Sequence, residues 1–132
     1  MNSQSKVSTA LLALRVSVFA VLLVWTLDKL VNPGHAGHVY KHFYFIGGLG
    51  PAAFTVIGLL ELVLCAAFLV GYRKRLTYGL VLLFHGISTL SSYAQYADPF
   101  NSLLFFAAWP MLAACFALYY LRDLDTKWTL AA

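Results

Sequence analysis

Glu61, His85 and Arg15 carry most of the chemical potential of this sequence, because each interrupts a long apolar run. An ionisable group in such a run is costly unless it faces a partner or a cavity. A carboxylate beside an imidazole is a proton acceptor–donor pair whose affinities burial and neighbours can tune. Two readings stand side by side. In the first, Arg15 pairs with Glu61, or Glu61 accepts from His85, and the bridge fixes helix register. In the second, Glu61 and His85 are candidate catalytic residues that exchange protons with a quinone, or hold another ligand. Both readings turn Glu61 toward the interior; Arg15 alone has the further option of snorkelling to a surface.

A second polar group contains Asp28 and Lys29, together with Ser88, Ser91, Ser92 and Gln95, which recur at helical spacing. Small hydroxyl residues on one face serve close helix packing in membranes, or line a cavity. His35, His38 and His42 follow at spacings of three and four. Three neutral imidazoles on one helical face could take zinc, copper or haem iron, with copper or zinc the better fit. Pro33-Gly34 just before them works against a helix at His35, so a metal site here is the lesser expectation. Cys65 and Cys115 lack the spacing of a redox pair and are expected to be small buried apolar residues.

The elements that must position these groups follow from composition. The chain of 132 residues is 61% hydrophobic and 11% charged, against roughly 25% charged in soluble domains. A water-facing surface cannot be built from so little charge. Apolar runs at about 9–31, 51–72, 76–96 and 102–121 each reach the roughly 20 residues needed to cross a hydrocarbon core of about 30 Å. The reading is an all-α membrane protein: a single domain over 1–132, folded as an antiparallel bundle of four transmembrane helices. The first run is too long, and too interrupted by Arg15, for a signal peptide; it is expected to be retained. On this scale Glu61 and His85 lie near mid-membrane, and Arg15 about 10 Å in from one side.

The net charge of +4 is distributed by side. Lys6, Arg73, Lys74, Arg75, Arg122 and Lys127 fall on one side, and Lys29 and Lys41 on the other with Asp28 and Asp98. The positive-inside rule then places both termini in the cytoplasm, and the charge gives no reason to expect nucleic acid. Arg73–Arg75 leaves room only for a hairpin, and Asp98-Pro99-Phe100-Asn101 reads as a tight turn. The 32–50 connection is a long outer loop, with an amphipathic helix expected near its middle, over 38–45. Tyr72, Tyr78, Tyr119, Tyr120 and Trp128 form one expected interfacial belt, and Trp25, Tyr93 and Tyr96 the other. Pro110 is expected to kink the fourth span and free a carbonyl.

Arg15, Asp28-Lys29-Leu30 followed by Asn32-Pro33, Gly58-Leu59-Leu60-Glu61, and Gly71 before the turn ending at Arg75 resemble the DoxX-like family of small membrane proteins. The resemblance spans about residues 11–121, and the histidine- and aromatic-rich outer loop departs from it. It implies a four-helix bundle and a membrane subunit of a quinone-linked redox system, an oxidoreductase component working with a partner protein. Arg15, Lys29, Glu61 and Arg75 match its motif positions. Two other functions stand beside this one: a non-enzymatic accessory or scaffold subunit, and a metal-handling protein using the outer histidines. Membrane lipid and other subunits, or further copies of the chain, are the expected partners.

Overall fold

The structure is a computed structural model that describes residues 2–31, 41, 51–101 and 103–130. Among them the regular structure is all helical, without strands. Helix α1 runs Ser3–Val31, α2 Pro51–Leu69, α3 Lys74–Ser91, the single turn α4 Tyr93–Tyr96, and α5 Ala108–Tyr120, with 3-10 turns at Pro99–Asn101, Leu103–Ala107 and Arg122–Leu124. Two helical stretches, Ser3–Asp28 and Leu103–Tyr120, are long and apolar enough to cross a membrane, and Thr55–Leu69 is apolar but shorter. Of the expected helix at 38–45 only Lys41, helical and exposed, is among the described residues, and the three outer histidines lie outside them.

Helix α1 packs most extensively on α2, and α3 on α5; α1–α5 and α2–α3 contacts close the ring. Neighbours run antiparallel. Thr26 meets Glu61 and Cys65 while Arg15 meets Leu69, and His85 meets Ala108 while Gly79 lies against Tyr119. A Cβ on Gly79 would stand 3.3 Å from the Tyr119 ring, so the small residue sets how closely α3 and α5 approach. Both termini meet at one end: Ser8 Oγ donates to Leu124 O at 2.8 Å, and Lys127 Nζ to Thr9 Oγ1 at 2.6 Å.

Local sequence accounts for the breaks. Helix α2 ends in a Schellman motif, with Tyr72 N–H donating to Ala67 O at 2.9 Å and Gly71 N–H to Phe68 O at 3.1 Å. Gly71 supplies the positive φ of 70° that this closure requires. Near the end of α3, the Ser91 and Ser92 hydroxyls both turn back to Ser88 O, at 2.8 and 3.2 Å. Such back-bonding weakens a helix, and α3 gives way to α4 at Ser92. Asn101 Nδ2 donates to the Asp98 carboxylate across the next turn, at 3.0 and 3.2 Å.

Pro110 does not kink the middle of a continuous helix. The segment before Ala108 winds as a 3-10 turn, and Pro110 falls in the first turn of α5, where a missing N–H costs little.

The two halves of the bundle have different interiors. The buried apolar cluster of Leu11, Val18, Phe68, Tyr78, Val81, Cys115 and Leu118 fills the half nearest the termini. Thr26, His85, Thr89 and Ser92 are the buried polar residues of the other half. Large apolar side chains face outward along the helices, among them Val24, Leu60, Val63, Leu90 and Phe116, all more than half exposed.

Candidate functional site

Arg15 is buried, and its partner is Asp125, not Glu61: the guanidinium pairs with the Asp125 carboxylate, both side chains being at most 1% exposed. The remaining donors are also taken. Nε donates to Leu69 O at 2.9 Å, and one terminal nitrogen to Lys127 O at 2.6 Å. Leu69 O is an orphan carbonyl at the C-terminus of α2, where a cation is favoured by the helix dipole.

Asp125 arrives from beyond α5. After the Arg122–Leu124 turn the tail folds back across the bundle end, and Leu130 N–H donates to Val70 O at 2.8 Å. The other Asp125 carboxylate oxygen accepts from Tyr78 Oη at 2.5 Å, and the Lys74 ammonium donates to the Asp125 carbonyl. Tyr78 is therefore an interior ligand of this carboxylate and not part of an interfacial belt. Tyr72, Tyr120 and Trp128 remain exposed at that end, as a belt requires.

Asp125 is the site residue that the sequence reading missed. It lies past the last apolar run, so nothing local marks it as buried. One signal was present. Of the five acidic residues, Asp28 and Asp98 belong to the opposite end, leaving Glu61, Asp123 and Asp125 as anions for a deep Arg15.

The polar half holds the second constellation. His85 is 3% exposed and reaches two other helices. Its Nε2 lies 3.0 Å from Ala108 O on α5, and its ring stacks on Trp25 of α1, with centroids 6.0 Å apart and planes at 27°. A carbonyl can only accept, so Nε2 carries the proton and donates. Nδ1 of the neutral ring is then an acceptor, buried and without a partner among the described residues. Thr89 Oγ1 donates to His85 O at 2.8 Å one turn on.

Glu61 does not bond to His85. It is half-buried and turned to α1, where Thr26 Oγ1 donates to its Oε2 at 3.4 Å. Thr26 also lies 3.6 Å from Cys65 Sγ. Because Trp25 and Thr26 are adjacent on α1, His85 and Glu61 stand at the same level of the bundle on either side of that helix's inner face. Gln95, further out, has its Oε1 buried without a partner among the described residues. Asp28 is half-buried near the end of α1; the side chain of Lys29 is outside the described atoms. Cys65 and Cys115 are free and buried, as expected. No three His, Cys, Asp or Glu residues converge as a metal-binding group among the described residues.

Chemically, the two constellations differ. The Arg15–Asp125–Tyr78 network is saturated and joins α1, α2, α3 and the tail. The His85 level offers a buried acceptor nitrogen, a carboxylate and a stacking indole. No family model matches this chain, and no curated protein or solved structure matches it.

Proposed function

We propose that the chain is a four-span integral membrane protein of a bacterial inner membrane, with both termini cytoplasmic, acting as the membrane subunit of a quinone-linked redox system. Support for the membrane reading comes from apolar side chains exposed along the long helices, and from basic residues gathered at the end that carries the termini. In hydrocarbon the interior is where polar groups go, and the polar half-bundle fits that rule. The resemblance to DoxX-like proteins supports the quinone link.

The observation that carries the reading is the Nδ1 of His85, buried and without a partner among the described residues. As an acceptor it suits the hydroxyl of a quinol. When a quinol gives up two electrons to a redox centre of a partner protein, it also releases two protons; His85 Nδ1 takes one, and the Glu61 carboxylate, at the same level of the bundle, takes the other. Trp25 stacks on the His85 ring with one indole face, and its side chain, 46% exposed, leaves surface for the quinone ring.

The test uses Trp25 as its reporter. In protein carrying Trp109→Phe and Trp128→Phe, titration with a short-tailed quinol is expected to quench Trp25 fluorescence saturably. His85→Ala should weaken binding about tenfold, the loss of about 1.4 kcal/mol expected for one buried hydrogen bond. Equal quenching with and without the imidazole would remove the reading.

A further inference from the structure

A groove of ≈ 240 Å³ runs along the seam between α2 and α3, lined by Leu60, Val63 and Ala67 on one side and Leu76 and Leu80 on the other, with Tyr72 and Arg73 at its terminal end. There it meets a larger basin of ≈ 870 Å³, lined by Arg73, Lys74, Arg75, Leu76, Arg122 and Asp123. Arg73 and Leu76 belong to both. We propose that this continuous feature binds one anionic phospholipid, an acyl chain lying in the groove and the phosphate in the basin.

The seam is open for a reason visible in the packing. The α2–α3 contact is slighter than those of α1–α2 and α3–α5, because the two helices are held together chiefly by their short turn. An open apolar seam facing hydrocarbon forfeits dispersion contacts unless something fills it. From Leu60 to Ala67 the groove extends about 10 Å along α2, and Leu60, Val63 and Leu76, which line it, are each more than half exposed. A straight hydrocarbon chain has the right section and chemistry.

Charge selects the headgroup. The basin gathers four cations and one carboxylate. Lys74 is engaged at the Asp125 carbonyl, and Arg122 donates to Tyr119 O at 2.9 Å and lies over that ring at 4.5 Å. Among the described residues Arg73 donates through Nε alone, toward Tyr72 Oη at 3.3 Å, with its Cζ 5.7 Å from that ring's centroid. Arg75 is exposed, with no hydrogen bond or ion pair among the described residues. The terminal nitrogens of Arg73 and the whole Arg75 fork are thus available, and a planar guanidinium matches phosphate oxygens in pairs. The backbone is set in advance: Gly71 closes α2, and Arg73 itself takes a left-handed conformation at φ 46°. A zwitterionic headgroup brings its own cation into this basin and gains little, whereas phosphatidylglycerol brings a single uncompensated negative charge.

The inference rests on the membrane reading above, and the experiment separates the two. Full-length protein in detergent micelles is titrated with phosphatidylglycerol or phosphatidylcholine and the bound stoichiometry read by native mass spectrometry. The expected result is one retained phosphatidylglycerol, preferred over phosphatidylcholine by about tenfold or more. Arg73→Gln with Arg75→Gln should lower that affinity about tenfold, while Lys6→Gln, at the same end outside the basin, leaves it unchanged. Ala67→Phe fills the groove without touching the charge and should also lower the affinity about tenfold; Val63→Trp, at an exposed position, replaces it if the first variant misfolds. Retention of full affinity in the groove-filling variant overturns the proposal, as does displacement of the lipid by soluble glycerol phosphate at equal concentration. An alkaline carbonate wash of membranes is run in parallel: loss of the wild-type chain in the wash fails the membrane reading, whereas a wash-resistant chain with no lipid preference fails only this proposal.

Discussion

A guanidinium buried to 1% exposure is tolerated only if each of its nitrogens is hydrogen-bonded and the charge is matched. Arg15 meets both conditions through Asp125, Leu69 O and Lys127 O. Asp125→Ala leaves that charge uncompensated and should cost about 3–5 kcal/mol, read by reversible unfolding in mixed micelles. The paired change Arg15→Met with Asp125→Leu should cost much less, so the double-mutant cycle should return a large coupling energy. Tyr78→Phe removes one hydrogen bond to a carboxylate, at about 1.5–3 kcal/mol. At this scale the sequence disclosed that Arg15 had to find an anion or reach a surface. It did not disclose which, because the depth of Asp125 arises from the tail folding back and not from its position along a run.

The elements were legible where their causes are local. Gly71 before a basic turn, and Asp98-Pro99 before a new helix, mark breaks that the structure contains. Gly71→Ala should destabilise by about 1–2 kcal/mol through the left-handed conformation alone. The added Cβ also lies 2.7 Å from Thr129 Cγ2, so Thr129→Gly in the same protein should recover the steric share; melting temperatures of the two variants check this. Pro110 was legible as a helix breaker but not in its effect, since the break falls before Ala108 and leaves the proline in a first turn. Pro110→Ala should therefore change stability by less than about 1 kcal/mol, whereas Ala114→Pro in mid-helix should cost about 3 kcal/mol or more.

For the molecule as a whole, the proposed four-span topology predicts a labelling pattern. Both native thiols are buried, which leaves a clean background for introduced cysteines. Phe100→Cys, at a side chain 87% exposed, should react with an impermeant maleimide on intact cells. Ser3→Cys should react only after the membrane is opened. Reaction of Ser3→Cys from outside would reverse the orientation, and equal labelling of both in unopened cells would end the four-span reading. The polar half-bundle around His85 and the apolar half around Phe68 lie along one axis, so a ligand entering near Trp25 would stop above the buried cluster and short of the Arg15 network.

Helicity, the lengths of the apolar runs, the hairpin at 73–75 and the side on which cations gather all follow from residues close together in the chain. Those features are properties of composition and spacing, and no knowledge of contacts is needed to state them. Who faces whom is different. The rotation of each helix about its axis separates Glu61 from His85, turns one toward Thr26 and the other toward Ala108 and Trp25, and no spacing within a single run specifies it. The return of the tail brings Asp125 to Arg15 across 110 residues of sequence; that pairing is selected by the cost of leaving either charge unmatched in the interior, a free energy that exists only once the helices have assembled.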